Sequence, residues 1–305
     1  MREGSVYCII FIILRLKEKL KLMNTYQKLT LLGASLLLIT SCSNNEENAT
    51  DKNLKKTAMI EVDTTDVYTS NDYDFVLPRP FALVTSFEEA GMDFVASRMN
   101  DPKNIEKYTT DGKQLLNFGV YSSDLVYSII NNQAQSSITN FNAIKGLADK
   151  IGMGSIFSKE ELALEIEKNI ANRDEMESLL IDVYERSQEY LENNEMRVLA
   201  AIQFSGAWFE GMYLATFDLD KKEKKKLSHT VVDHMSLLKH AIKGLEAYTD
   251  RGANIDELLT EMKSLQNTYN ELRSIKEAKG FPELTLEEIK VVATKIHKIR
   301  SLIIS

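Results

Sequence analysis

The chain has 305 residues, a formal net charge of −8 and two cysteines, Cys8 and Cys42. A chain of this length buries enough surface to fold without disulfides. Its acidic excess argues against nucleic acid and anionic lipid as partners, because phosphate binding depends on clustered Lys and Arg. The one basic run, KKEKKK at residues 221–226, is typical of a solvated loop between helices.

Residues 23–41 have the parts of a lipoprotein signal peptide: a short start with Lys28, an apolar run over Leu29 to Ile39, and small residues before Cys42. The run is too short to cross a bilayer, which takes about 20 apolar residues. The ending Ile-Thr-Ser-Cys resembles the lipobox of bacterial lipoproteins, whose cysteine thiol is diacylated. We predict that Cys42 carries the lipid. An uncleaved anchor with an incidental cysteine is the alternative.

The signal is flanked by two segments that we leave out of the fold. Residues 1–22 hold another apolar stretch followed by basic residues, and we interpret them as an over-long gene start with translation beginning at Met23. Residues 42–74 are polar and contain neither Pro nor Gly, which predicts a flexible tether. Pro78 and Pro80 end the tether and admit the first helix.

Residues 75–305 repeat the helical period throughout, which predicts a single all-α domain. Start signals of the capping-box kind occur at Ser86/Glu89, Ser158/Glu161, Asn254/Glu257 and Thr285/Glu288, and glycines that can end helices follow at 152, 252 and 280. These signals predict a bundle of about nine helices, near 81–99, 113–134, 137–151, 159–172, 174–193, 196–216, 228–249, 254–279 and 285–304.

The last two predicted helices, in residues 254–305, have the most regular apolar stripes. Apolar residues recur at alternating spacings of three and four in both helices, and a short connection forces them antiparallel. We predict a C-terminal coiled-coil-like hairpin. The stripes consist of Leu258, Met262, Leu265, Tyr269 and Leu272, and of Ile289, Val292, Ile296, Ile299 and Ile303.

The segment Val198 to Leu214 is apolar nearly all the way round and is predicted to be the central helix. Gln203 and Glu210 lie on one side of it, with Gly206 between them. A buried carboxylate needs a partner or a raised pKa, so Glu210 is a site candidate. Alternatively, Glu210 reaches solvent at one end or pairs with a structural Arg or Tyr.

A polar stripe in NFGVYSSDLVYSIINNQ contains Tyr121 and Asp124. It is either the solvent side of an amphipathic helix or one wall of a ligand groove shared with Gln203 and Glu210. We take Tyr121, Asp124, Gln203 and Glu210 as the candidate groove.

His229, Asp233 and His240 share one stripe of a helix and are weak candidates for a metal site. That stripe is opposite the apolar face, and no second helix supplies a Glu-x-x-His pair. We therefore predict no metal and no cofactor. His234 and His297 are interpreted as packing or surface residues.

No catalytic motif supports an enzyme. The sequence has no Gly-rich phosphate loop, no G-x-S-x-G turn, no H-E-x-x-H and no EF-hand loop. Lipidation of Cys42 would also remove thiol catalysis and cysteine-zinc sites. Whether the chain is an enzyme stays open, and the sequence favours a non-enzyme.

Four blocks, LPRPFALVTSFEEAGMDFV, LLNFGVYSSDLVYSIINNQAQ, AIKGLADKIGM and YLENNEMRVLAAIQFSGAWFEGMY, together resemble an uncharacterised family of helical lipoproteins of Bacteroidota. The resemblance covers roughly residues 75 to 250 and implies an envelope setting without a reaction. It also implies that Glu46-Glu47 can direct the chain to the cell surface. Ser43 after the cysteine favours the outer membrane, with the domain on the periplasmic or the cell-surface face.

Three functions follow as hypotheses. The first is a membrane-anchored, non-catalytic module that binds an envelope protein or a small ligand. The second is a hydrolase or metal-dependent enzyme that uses Glu210 and Asp124 as acid and base. The third is a structural component of an envelope complex, docked through the hairpin 254–305.

Overall fold

A computed structural model describes residues 80–88, 91–157, 160–170, 172–193, 196, 198–249 and 252–305. These residues fall within one compact unit and contain helices and no strand. The predicted all-α class is therefore confirmed. The predicted gene start, signal peptide, lipid attachment site and tether lie outside the described residues.

The described chain forms the following α-helices, separated by short turns. They are α1 (Pro80–Thr85), α2 (Asp111–Ile130), α3 (Ala134–Lys150), α4 (Glu160–Asn169), α5 (Arg173–Asn193), α6 (Val198–Ala215), α7 (Lys224–Ala247), α8 (Ala253–Glu271), α9 (Arg273–Lys276) and α10 (Leu286–Ile303).

Two of the predicted helices differ most from expectation, one being much shorter and the other interrupted. The helix predicted over 81–99 stops at Thr85, and the chain then crosses Gly91 at φ +90° and makes short 3₁₀ turns at Ala96–Arg98 and Pro102–Lys107. Glycine accepts that left-handed conformation at little cost. The helix predicted over 254–279 breaks at Leu272, whose backbone is extended at φ −60° and ψ 141°.

The predicted C-terminal hairpin is confirmed. The two long helices run antiparallel, since Glu261 of α8 pairs with Lys298 of α10, and Ser264 accepts a hydrogen bond from Lys295. The capping box between Thr285 and Glu288 starts α10 as the sequence predicts. The apolar stripe of α10 is buried along its whole length.

Helix α6 is the centre of the bundle, as its apolar sequence predicts. Every residue from Ala201 to Met212 is buried, and α6 packs against α1, α2, α7 and α10. A helix surrounded in this way needs no polar face, which explains its lack of amphipathic character.

Helices α2 and α6 touch backbone to backbone where they cross. A Cβ atom on Gly119 would lie 1.9 Å from the carbonyl oxygen of Gln203, and one on Gly206 would lie 1.8 Å from that of Leu116. The Ser123 hydroxyl donates a hydrogen bond of 2.8 Å to the Ala207 carbonyl across the same contact. Only glycine permits this approach, so both positions are fixed by packing.

We expect Gly206→Ala to lower the free energy of unfolding by about 3 kcal/mol or more, because the new methyl group meets main-chain atoms that cannot move aside. Urea unfolding followed by far-ultraviolet circular dichroism measures the change. Gly146→Ala is the matched control: a Cβ atom on this helical glycine in α3 would have no heavy atom of another part of the chain within 4 Å. The control should raise the stability by up to about 1 kcal/mol. Equal effects of the two substitutions would contradict the close crossing.

Candidate functional site

Asp124 and Glu210 meet beside the crossing of α2 and α6. Asp124 lies five residues after Gly119, and Glu210 lies four residues after Gly206. Both side chains are fully buried, and their carboxyl groups hydrogen-bond to each other. The structure therefore brings together the two predicted acidic residues.

Arg300 of α10 completes this cluster. Its Nε donates to Glu210 Oε2 at 2.8 Å and its Nη2 to Glu210 Oε1 at 2.9 Å. Nη2 also donates to the Arg98 carbonyl at 3.2 Å, and the guanidinium lies 4.3 Å from the ring centroid of Tyr213. Of the alternatives for Glu210, pairing with a structural arginine is the one found. We call Asp124, Glu210 and Arg300 the buried triad.

The buried triad holds one proton between its two carboxyl groups. Asp124 Oδ2 accepts a hydrogen bond from the Asn100 backbone at 3.0 Å, whereas Oδ1 meets no N–H or O–H donor in the described part of the chain. The hydrogen bond between the two carboxyl groups needs one proton, because two carboxylates have no donor between them. With a neutral Asp124, the charges of Glu210 and Arg300 cancel.

Burial and electrostatics place this proton on Asp124. Burial, reinforced by the charge of Glu210, raises the pKa of Asp124 well above its usual range. Burial also raises the pKa of Glu210, but the charge and hydrogen bonds of Arg300 oppose that effect. Two adjacent carboxylates in a dry site cannot both ionise at ordinary cost. Glu210 is therefore the ionised member of the pair.

The polar stripe of α2 faces inward. Asn117, Tyr121, Asp124 and Ser128 are fully buried, so the solvent-facing interpretation is wrong for these four residues. Their polar groups are used inside the protein: the Tyr121 hydroxyl donates to the Asp101 carbonyl at 2.9 Å, and Asn117 Nδ2 donates to the Ile303 carbonyl at 2.9 Å.

Gln203 lies apart from the triad. It is seven residues from Glu210, which corresponds to two helical turns or about 10 Å along the axis. Its Nε2 is directed at Met153 Sδ, 3.5 Å away, and not at the triad. The structure thus gathers Asp124 and Glu210 and leaves Gln203 in different surroundings.

Sequence reasoning missed Arg300, Asn100 and Tyr108. Asn100 donates through Nδ2 to the Tyr108 hydroxyl at 2.9 Å and to Asn117 Oδ1 at 3.2 Å, which links the loop before α2 to the stripe. A signal for Arg300 was present, since it lies four residues after Ile296 and three before Ile303. Those spacings place it at the edge of the buried stripe.

The three weak metal candidates do not form a metal-binding cluster. Within the described ranges, no group of three or more His, Cys, Asp or Glu side chains is placed to hold an ion. The His229 ring instead packs on Phe281, with centroids 4.8 Å apart. Asp233 and His240 are half-buried on α7.

His234 is a core residue, in line with its interpretation as a packing histidine. Its Nε2 lies 2.6 Å from the Ser86 hydroxyl, its ring packs on Phe87, and its backbone carbonyl accepts from Trp208 Nε1. Its Nδ1 meets no polar partner in the described chain. Burial lowers the pKa of His234 to about 3. The folded protein therefore holds a neutral imidazole here at any ordinary pH.

His297 is half-buried among aromatic rings. Its Nε2 lies 3.0 Å from the Thr216 hydroxyl, and its ring contacts those of Tyr213 and Phe217. Burial and the nearby Arg300 charge lower its pKa.

Comparison with models of protein families, with curated proteins and with solved structures gave no match. The resemblance to lipoproteins of Bacteroidota therefore stays a prediction. Among the helices that the structure describes, none has both the length and the apolar character needed to cross a membrane.

We expect Glu210→Gln to destabilise the fold by about 3–5 kcal/mol, because it leaves the buried guanidinium without its charged partner. Asp124→Asn is the matched isosteric change. It should cost less than about 1.5 kcal/mol, since an amide N–H can replace the carboxyl proton that Asp124 donates. Urea unfolding at neutral pH measures both variants. A larger loss for Asp124→Asn than for Glu210→Gln would show that the proton is wrongly assigned.

His234 should make the fold weaker in mild acid. An unfolded histidine takes up a proton below about pH 6.5, whereas the folded His234 does so only near pH 3. The neutral His234 therefore contributes its full stabilisation above about pH 6.5. Below that pH, its contribution to the free energy of unfolding falls by about 1.4 kcal/mol per pH unit. Unfolding titrations between about pH 7.5 and 5 should show a smaller slope for His234→Gln, whose amide can still bond Ser86. An unchanged slope would contradict the neutral buried imidazole.

Proposed function

We propose that the chain is a membrane-anchored lipoprotein of the bacterial outer membrane whose all-α domain is a non-catalytic binding or interaction module. The lipid on Cys42 would hold the chain in the membrane, and the domain would face the periplasm or the cell surface. Two or more acyl chains anchor a protein stably, since each buried methylene contributes about 0.8 kcal/mol. The domain itself then needs no membrane-spanning segment.

The closed geometry of the buried triad is the observation that carries the non-catalytic part of this proposal. A general acid or base must come within hydrogen-bond reach of the proton that it transfers. Glu210 is 0% exposed and both its oxygens accept from Arg300, while Asp124 is covered by the loop that contains Asn100. The carboxyl groups that could have served an enzyme are used to assemble the fold.

The same geometry favours a binding module that includes the hairpin 254–305 over a structural component that docks through that hairpin alone. Arg300 sits inside the triad, and the carbonyl of Ile303 accepts from Asn117 in α2. The hairpin 254–305 therefore completes the core and does not stand outside it. An envelope protein or a small ligand would bind the surface of the whole unit.

We expect the chain to incorporate a fatty-acid probe in cells and Cys42→Ala to abolish this incorporation, because a thiol is needed for diacylation. Metabolic labelling with an alkyne fatty acid measures the modification, and mass spectrometry identifies the first residue of the mature chain. Ser43→Ala, at the residue next to the lipid attachment site, is the matched control and should label normally. A wild-type chain without label would favour the uncleaved anchor.

Mass spectrometry of the purified lipoprotein distinguishes a small ligand from a protein partner. Its native mass is compared with its denatured mass after isolation from the source cells. A defined excess in the native mass would indicate a small ligand. Equal masses would direct the search to envelope proteins, by crosslinking in intact cells.

A further inference from the structure

The start of α7 carries lysines without ion-pair partners. Lys225 and Lys226 are exposed and form no ion pair with any residue of the described ranges. The acid next to them is engaged elsewhere: the Glu223 carboxylate accepts from the backbone N–H groups of Lys225 and Lys226 at 3.1 and 3.0 Å. Their ammonium groups remain available in an otherwise acidic chain.

Phe281 is held at the surface against His229 of α7. Its side chain is 53% exposed, and its ring packs on that of His229 at a centroid distance of 4.8 Å. The loop is fixed to α7 because the Leu284 N–H donates to the buried Ser228 hydroxyl at 2.7 Å. An aromatic ring is therefore presented to solvent from a supported position.

The lysines and the ring share one surface. His229 follows Lys225 by four residues and Lys226 by three, so all three lie on the same face of α7. Lys279 precedes Phe281 by two residues, is exposed, and has no ion pair in the described part of the chain. We call Lys225, Lys226, His229, Lys279 and Phe281 the basic aromatic patch.

We propose that the basic aromatic patch contacts the anionic phospholipid headgroups of the membrane to which Cys42 is anchored. Ammonium groups attract lipid phosphates, and an aromatic ring settles at the depth of the headgroups. The rest of the acidic surface is repelled by the same lipids, so the contact gives the domain one orientation. The inference rests on the proposed lipid anchor.

The three lysines outnumber the exposed carboxylates of Glu223 and Glu283 on the same segments, which favours an anionic occupant, and the anchor makes a weak contact sufficient. A tethered domain meets the membrane at a high effective concentration, so a few lysines can hold it without strong affinity of their own. Residues 43–79 separate the predicted anchor from α1, which is enough chain for any face of the domain to reach the bilayer.

The test uses tryptophan emission from the full lipidated protein in vesicles. The one native tryptophan, Trp208, is fully buried and supplies a constant background. Phe281→Trp places a second reporter in the patch, and Leu164→Trp places a matched reporter at another exposed apolar position, 63% exposed. Vesicles contain brominated phosphatidylcholine, either alone or with phosphatidylglycerol.

We expect bromine quenching of the Phe281→Trp reporter in phosphatidylglycerol vesicles and little in neutral ones, because the lysines need anionic headgroups. Adding Lys225→Glu and Lys226→Glu, or high salt, should lower this quenching several-fold. The Leu164→Trp reporter should not respond to phosphatidylglycerol.

Two results would overturn the proposal. One is a Phe281→Trp reporter that is not quenched in anionic vesicles, which would leave an acidic protein as the occupant of the patch. The other is equal quenching of both reporters.

Flotation of the same samples reports the anchor separately. Protein that floats with neutral vesicles but shows no patch quenching refutes the patch alone, whereas protein that fails to float refutes the anchor.

Discussion

The backbone contact between α2 and α6 is the constraint on which the rest of the structure depends. Because Gly119 and Gly206 have no side chains, the two helices approach until main-chain atoms touch. That distance is short enough for Asp124 and Glu210, about one turn further along, to share a hydrogen bond. If the helices were further apart, the two buried carboxyl groups could not hydrogen-bond to each other, and their burial would cost much more free energy.

The buried triad gives the bundle specificity more than stability. Replacing a buried ion pair by apolar side chains is often neutral or stabilising, because both charges must be removed from water. What the triad does is allow one arrangement of α2, α6 and α10, since any other leaves a charge unpaired. The loop around Asn100 is held by the same network, through its N–H on Asp124 and its side chain on Tyr108 and Asn117. Segments far apart in sequence thus share one polar centre.

The sequence predicted the elements well and their contacts poorly, for physical reasons. The apolar segment of α6, the stripes of the hairpin and the capping box at Thr285 are local signals, and local signals were sufficient there. The helix predicted over 81–99 forms only at its start, because the chain turns before Gly91, whose left-handed backbone a helix cannot continue through. Glu210 was recognised as a buried acid, but its partner lies 90 residues away, and no periodicity reveals which of several arginines fills that role. The sequence also could not predict whether the polar stripe of α2 faces solvent or the core, because the pattern of polar residues is the same in both cases.

The long sequence separation between Glu210 and Arg300 sets an order of events in folding. Helices α2 and α6 are synthesised well before α10, and the charge of Glu210 has no counterpart until residue 300 has been added. Contacts that span such separations form slowly and leave earlier segments exposed. We infer that the bundle stays open during synthesis and closes only when α10 is available to pack. A chain cut short before α10 would keep an uncompensated carboxylate in its centre, which would mark it for proteolysis.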